Sequence, residues 1–372
     1  MTLKNEKTVL LITLGIFTLL TYWPIFSSGR LPGGEMSDTV AQGYPFFSYT
    51  ASRLSQGELP LWNPYILCGV PFYESFSAPV FYPLRGLPMV IFGPEAAIRF
   101  LYPIHMFMAG VFAWMFLKAL GAKRWGALVG AVAYSAGAWA NTLFYAGHGS
   151  KVICWAWFPL VLWALLGYIR SRNTRYIGAG ALALGMQGLS SHPQMMLYTA
   201  GSALILTLFQ TRKPLGRSLG KNLGGLAAIL LLGGMTAAVQ LYPGYLFSRG
   251  TSRGQDLPLE TAASYSMPPE ETLSMLMPGA FGLRHGFPDS SAGGIPVYFG
   301  RLGLRLSSEF TGAVLFILAL FGMFTGKHRR RRYMFAFLAL AGALVSWGGY
   351  TPVFSFLYRV LPIFRKLRAP HM

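Results

Sequence analysis

Cysteine, acidic residues and charge of either sign are scarce in this 372-residue chain, and each scarcity removes a class of protein. Two cysteines, Cys68 and Cys154, cannot build a disulfide framework. Charged residues make up 12% of the positions, about half the roughly 25% of an ordinary soluble domain, so a water-soluble fold is excluded. Only twelve Asp and Glu stand against 31 Lys and Arg, for a net charge of +19. The basic residues nevertheless lie in short clusters between apolar runs and do not interleave with aromatics on one surface, which argues against a nucleic-acid partner. The sequence also lacks internal repeats, low-complexity tracts and any Walker, Rossmann, zinc or serine-nucleophile motif.

Apolar residues fill the space, at 53% of the chain with a mean hydropathy of +0.45. A hydrocarbon core of about 30 Å needs roughly 20 apolar helical residues, because an unpaired backbone group in lipid is too costly for irregular structure. Nine runs answer to this: Val9 to Phe26, Ile98 to Leu117, Gly126 to Tyr145, Val152 to Ile169, Ile177 to Ser190, Met195 to Phe209, Asn222 to Tyr242, Glu309 to Phe324 and Tyr333 to Trp347. They predict an all-α polytopic membrane protein of about nine transmembrane helices, one membrane domain over residues 1–372. The first run follows Lys4 and Lys7 without a small-residue cleavage site behind it, and reads as a retained anchor. The fifth and sixth are short and flank Ser191-His192-Pro193-Gln194, as a tight outer hairpin or as two helices meeting a re-entrant turn.

Lysine and arginine are retained on the cytoplasmic side of short loops. Alternate connections hold Lys4 and Lys7, then Lys118, Lys123 and Arg124, then Arg170, Arg172 and Arg175, then Arg212, Lys213, Arg217 and Lys221, then Lys327 with Arg329 to Arg332, in all 17 of the 31 basic residues. The N-terminus is therefore expected in the cytoplasm, and every acid except Glu6 on the outer face. Two outer loops, 27–95 and 244–308, are too long to be mere connectors and are expected to carry short amphipathic helices. The first is rich in aromatics and proline, and Trp62, Tyr65, Phe72, Phe81 and Tyr82 should seek an apolar surface at headgroup level. Gly126 and Gly130 form a pair suited to close helix packing.

Within the first loop stand Ser37-Asp38-Thr39-Val40-Ala41-Gln42-Gly43-Tyr44-Pro45-Phe46, Gly57-Glu58-Leu59-Pro60-Leu61-Trp62-Asn63-Pro64-Tyr65, Gly69-Val70-Pro71-Phe72 and Phe81-Tyr82-Pro83-Leu84. Later come Gly147-His148, Trp157-Phe158-Pro159-Leu160, His192-Pro193-Gln194, Gln240-Leu241-Tyr242-Pro243, Pro278-Gly279-Ala280-Phe281-Gly282, Leu361-Pro362-Ile363-Phe364-Arg365 and Arg368-Ala369-Pro370. In this order they resemble the bacterial YfhO membrane protein family over almost the whole chain, the Pro-Leu-Trp-Asn-Pro block being the most specific piece. The resemblance implies a GT-C-like fold in the bacterial cytoplasmic membrane. It also implies a glycosyltransferase that takes sugar from a polyprenyl-phosphate carrier and delivers it to an envelope polymer or lipid at the outer leaflet. Family members normally continue with further helices, so the resemblance also implies a chain truncated at its C-terminus. The rival readings are a transporter or flippase of a lipid-linked substrate and a non-catalytic membrane assembly protein. The absence of an inverted repeat and of acids within the spans disfavours transport.

Glycosyl transfer to a hydroxyl needs a carboxylate to take the acceptor proton or bind a metal, and cations or donors for the departing phosphate. Asp38 is the first candidate for the carboxylate and for any divalent metal, because it follows the first helix by about a dozen residues; in the resembled fold this loop carries the catalytic Asp. The competing role is a solvated or turn-capping Asp beside Gly33-Gly34. Glu35 assists or is simply solvated. His148 and Lys151, at the outer end of the third span, face the donor phosphate or are an interfacial His and a snorkelling Lys. His192 and Gln194 bind substrate or cap their hairpin. Arg249 and Arg253, four apart, would share a helical face and hold a phosphate if the helix continued, which Gly250 and Gly254 oppose. Trp62 and Asn63, inside the most specific block, complete the substrate-binding candidates. Arg329 to Arg332 reads as a cytoplasmic anchor.

Overall fold

A computed structural model of the protein describes residues 3–33, 37–76, 80–211, 215–251, 254–282, 298–302 and 309–367. Helix dominates, and the only β-structure among the described residues is one pair of two-residue strands. The chain divides into two compact units, residues 1–247 and 248–372.

The first unit opens with α1 (Leu3–Ser28). A π-helical turn, Thr39–Gly43, then runs directly into α2 (Tyr44–Ser55). Strands β1 (Trp62–Asn63) and β2 (Val70–Pro71) form an antiparallel hairpin with Trp62 opposite Pro71 and Asn63 opposite Val70. Helix α3 (Pro83–Phe92) leads through Gly93 into α4 (Pro94–Ala119). Next come α5 (Arg124–Ala136) and α6 (Ala138–Ala146), one run interrupted at Gly137, then α7 (Gly149–Ser171), α8 (Arg175–Leu189), α9 (Pro193–Gln210) and α10 (Leu215–Arg249).

All nine apolar runs fall on helices, but among the described residues five helices are long and apolar enough to cross a membrane: α1, α4, α5 with α6, α7 and α10. At 1.5 Å per residue, the 15 residues of α8 reach only about 22 Å. The α1 core side is Leu10 and Leu14, packed on Trp114 of α4 and on Ala127 and Ala131 of α5. Opposite that side Ile12, Ile16, Leu20 and Trp23 are exposed, the pattern of a helix whose outer face meets lipid. Close packing by small residues occurs at one member of the Gly126 and Gly130 pair: a side chain at Gly126 would meet nothing, but a Cβ at Gly130 would come within 2.5 Å of Leu117 of α4. On α8, Gly180 likewise lies against Ile229 and Gly188 against Ala237 of α10.

One end of these helices carries the basic clusters. Lys118 Nζ, at the end of α4, pairs with Glu6 Oε2 of α1 at 3.1 Å. Arg170 of α7 donates to the Ala119 carbonyl, and the Tyr168 hydroxyl reaches the Lys221 carbonyl of α10 at 3.5 Å. The alternation of charge along the sequence thus becomes one basic end of the first unit.

In the first outer segment the aromatics divide. Phe72 and Tyr82 are fully buried in protein, which corrects the expectation that they need a lipid surface, while Trp62, Tyr65 and Phe81 remain exposed.

The second unit contains α11 (Leu259–Ala262), a 3₁₀ turn at Pro269–Met275, α12 (Ala313–Thr325), α13 (Arg329–Ser346), a 3₁₀ turn at Gly348–Tyr350, α14 (Pro352–Val360) and a 3₁₀ turn at Pro362–Arg365. The α12 sequence is strongly apolar, yet none of its residues is buried. Arg332 of α13 donates to the Met323 and Phe324 carbonyls at 2.9 and 2.7 Å, satisfying the end of α12 and favoured there by its dipole. Glu271 is buried and accepts from the Tyr298 hydroxyl at 2.6 Å and the Arg301 backbone amide at 2.9 Å.

Candidate functional site

A cleft of about 240 Å³ opens in the first unit at the end of the helices opposite the basic clusters. The turn after α1 brings Asp38, Thr39 and Gln42; α3 brings Arg85; the start of α4 brings Ile98, Leu101 and Tyr102; the joint of α6 and α7 brings His148, Ser150 and Lys151; the turn before α9 brings His192. Phe46, Phe47 and Phe76 complete an apolar wall beside this polar set.

Local chemistry explains why Asp38 points into the cleft. It precedes the π-helical turn without capping it, since Ser37 Oγ takes that role by accepting from the Thr39 amide at 3.1 Å. Released from the turn, Asp38 Oδ2 lies 3.5 Å from His148 Nε2. His148 Nδ1 is in turn 3.5 Å from Lys151 Nζ. A neutral ring with its proton on Nε2 satisfies both contacts, because the lysine donates to Nδ1 and Nε2–H donates to the carboxylate. Both distances are long, as is common for such contacts before substrate tightens them.

His148 owes its place to Gly147, which ends α6 in the left-handed conformation at φ 86°. A Cβ on Gly147 would come within 2.4 Å of the Thr39 amide nitrogen and 2.9 Å of the Asp38 carbonyl carbon. Only glycine therefore lets the Asp38 turn close on the start of α7. The α7 N-terminus adds a dipole favourable to an anion. Lys151, one turn in, is buried.

Two further groups face the same space. The Arg85 guanidinium stacks on the Phe47 ring at 3.9 Å and makes no ion pair among the described residues. Burial lowers it to about 9, well under the usual guanidinium range. His192 caps α9, its Nδ1 accepting from the Met195 amide at 3.4 Å, so both the capping and the site-facing roles fall to one ring. Burial first, then the positive charge of Lys151, holds it down to about 4.

The structure thus gathers Asp38, His148, Lys151 and His192 and leaves the other candidates elsewhere. Gln194 turns away and donates to the Tyr198 hydroxyl at 2.8 Å. Asn63 is buried in the hairpin, where its Oδ1 accepts from the Tyr65 amide at 2.9 Å, and Trp62 is exposed beside it. Arg249 is the exposed last residue of α10, so the helical face it was to share with Arg253 ends there. Arg253 and Glu35 lie outside the described residues. Arg85 and Tyr102 are additions. Arg85 directly follows the Phe81-Tyr82-Pro83-Leu84 motif, but it is one of three arginines in the 27–95 segment, with Arg30 and Arg53, and nothing local marks it.

The described donors do not suit a divalent metal. Among the described residues Asp38 is the only carboxylate lining the cleft, which it shares with Arg85 and Lys151, and no group of three metal-ligating side chains exists. Two cations and two histidines around one carboxylate instead favour an anion next to a group that gives up a proton. Compared with protein-family profiles, curated proteins and solved structures, the chain matches none, so the family resemblance rests on the sequence motifs alone.

Proposed function

We propose that the chain is a GT-C-like membrane glycosyltransferase that moves a sugar from a polyprenyl-phosphate carrier to an envelope polymer or lipid at the outer face of the bacterial cytoplasmic membrane. The observation that carries this reading is the cleft that Asp38 shares with Arg85, Lys151, His148 and His192 beside an aromatic wall. Its volume is below the about 300–1,000 Å³ usual for drug-sized ligands, which suits a sugar-phosphate head group whose lipid tail stays outside. In the proposed step the acceptor oxygen attacks the anomeric carbon and the bond from that carbon to the phosphate oxygen breaks. The phosphate leaves with the electron pair, towards Arg85 and Lys151, and the acceptor proton passes to Asp38. His148 holds the carboxylate in place. A transport path would need ionisable groups spread between the two faces, whereas these cluster at one end of the helices.

The test is complementation of a deletion strain, with its envelope glycans compared with those of the parent. Loss of one glycosyl modification, restored by the native chain and not by Asp38→Asn, is expected. The near-isosteric change should preserve expression while lowering transfer by about 10²- to 10⁴-fold. Arg85→Gln should act chiefly on donor KM, since a phosphate contact exists before as well as during transfer. Unchanged glycans in the deletion strain would remove the proposal.

A further inference from the structure

The hairpin of β1 and β2 has no place in the cleft, and its composition is unusual for a loop leaving a membrane helix. No charged residue occurs from Leu59 to Tyr73. Its outward side chains are Leu61 at 57% exposure, Trp62 at 53%, Tyr65 at 84% and Leu67 at 86%, with Cys68 exposed beside them.

The turn itself is costly. Gly69 N donates to the Ile66 carbonyl at 2.7 Å, closing a tight turn whose central residues are Leu67 at φ 48° and Cys68 at φ 64°. Two successive positive φ values belong to Asn-Gly or Gly-Gly sequences. Gly69, at φ 112°, is needed for a different reason, because a Cβ there would come within 2.4 Å of the Trp62 ring. Leucine and cysteine at the tip therefore oppose turn stability. What they add is a pair of apolar side chains at the most projecting point, held there by a rigid base. That base is fixed by the Asn63 turn, by the Tyr49 hydroxyl donating to the Trp62 carbonyl, and by Phe72 packed edge-on to Phe46 at 4.9 Å.

The depth of the hairpin follows from its attachment to α10. The Tyr73 hydroxyl donates to the Val239 carbonyl, and Gln240 Nε2 donates to the Tyr73 carbonyl at 3.3 Å. Val239 is 43% exposed, and Tyr242 and Tyr245, exposed at 62% and 60%, continue the same helix within its candidate span. Exposed tyrosines near a span end mark the headgroup level, and Val239 lies three residues, about 5 Å, to the apolar side of Tyr242. The hairpin is thus anchored at or below the aromatic level of a membrane-facing helix, with its uncharged tip uncovered.

The geometry points to a lipid-inserted wedge: Leu61, Trp62, Tyr65, Leu67 and Cys68 enter the acyl-chain boundary of the leaflet that α10 traverses at Tyr242. This surface stands whatever reaction the cleft performs. Its seat on Phe46, which lines the cleft, would set the wedge at the lipid side of that opening.

Cys68 supplies the probe, because the other cysteine, Cys154, is fully buried. The full chain is labelled in detergent with a bimane thiol reagent. It is then reconstituted at one copy per nanodisc of phosphatidylethanolamine and phosphatidylglycerol. The wedge predicts blue-shifted emission, quenching by doxyl-labelled lipid and protection from aqueous iodide. Red-shifted emission quenched by iodide overturns it, as does a dye shielded from both quenchers, which would mean cover by protein. If the label disturbs the turn, Leu67→Cys in a Cys68→Ser background repeats the reading from the adjacent tip position, with the same outcomes deciding.

Discussion

The chemistry of the cleft is set by how few carboxylates reach it, and His192 shows the consequence for a single residue. Its ring accepts a backbone hydrogen bond at Nδ1 and lies buried near Lys151, so the neutral form is favoured and its titration falls to about 4 from an ordinary 6.5. A histidine depressed in the fold contributes full stability above its unfolded value. That contribution is lost as pH falls, because the unfolded chain takes up the proton first. Thermal stability of the purified protein should therefore decline between about pH 6.5 and pH 4. His192→Gln, which cannot titrate, should flatten that decline even if loss of the cap costs about 1 kcal/mol at every pH. Melting curves recorded across this range give the difference in slope between the two proteins. Equal slopes would mean that His192 is not held neutral. Arg85 belongs to the same logic, since a half-buried guanidinium without an acidic partner is costly unless something anionic visits it.

Among the elements, the joint of α6 and α7 decides whether the cleft exists. Gly147 must be left-handed and must carry no side chain, and both demands come from the Asp38 turn that crosses it. Gly147→Ala should force that turn outward, separate Asp38 from His148 and lower the melting temperature. The left-handed conformation alone costs an alanine about 1–2 kcal/mol. Gly201→Ala, on a helix face where a Cβ meets nothing, is the control and should be neutral or slightly stabilising. Equal behaviour of the two variants in melting and complementation would remove the joint's special role. Much of the architecture at this scale was legible, because apolar runs announce helices without any knowledge of their partners. Asp38, His148, Lys151 and His192 were legible as polar residues stranded at helix ends. Arg85 was not, since its arrival depends on α3 folding back against Ile98 and its neighbours, a contact without local signature. The block around Trp62 and Asn63 misled for a physical reason: Asn63 closes a turn, so the specificity of that block is first of all conformational.

For the whole molecule the question is which end of the helices faces the cytoplasm. In the first unit the clusters around Lys118, Arg170 and Lys221 meet at one end, through contacts that bind α1, α4, α7 and α10 together, while Asp38, His148 and His192 open at the other. Such an end-to-end asymmetry is what retention of lysine and arginine on the cytoplasmic side produces, since each short basic connection resists translocation. The proposed orientation therefore places the cleft and the hairpin outside. The α12 to α13 connection, with Lys327 and four consecutive arginines, gives an independent reading of the rule in the second unit. Single cysteines at Glu58 and Gln255 should react with a membrane-impermeant maleimide in intact cells. Those at Lys123 and Lys327 should react only after the membrane is opened. The background for this experiment is Cys68→Ser, because Cys68 is exposed and would add its own signal. Reaction of the Lys327 position in intact cells would show that an odd number of crossings had been miscounted before it. Reaction at Lys123 would invert the first unit, turning the Asp38 cleft towards the cytoplasm, where no outer-leaflet acceptor could reach it, and the proposed transfer would fall with it.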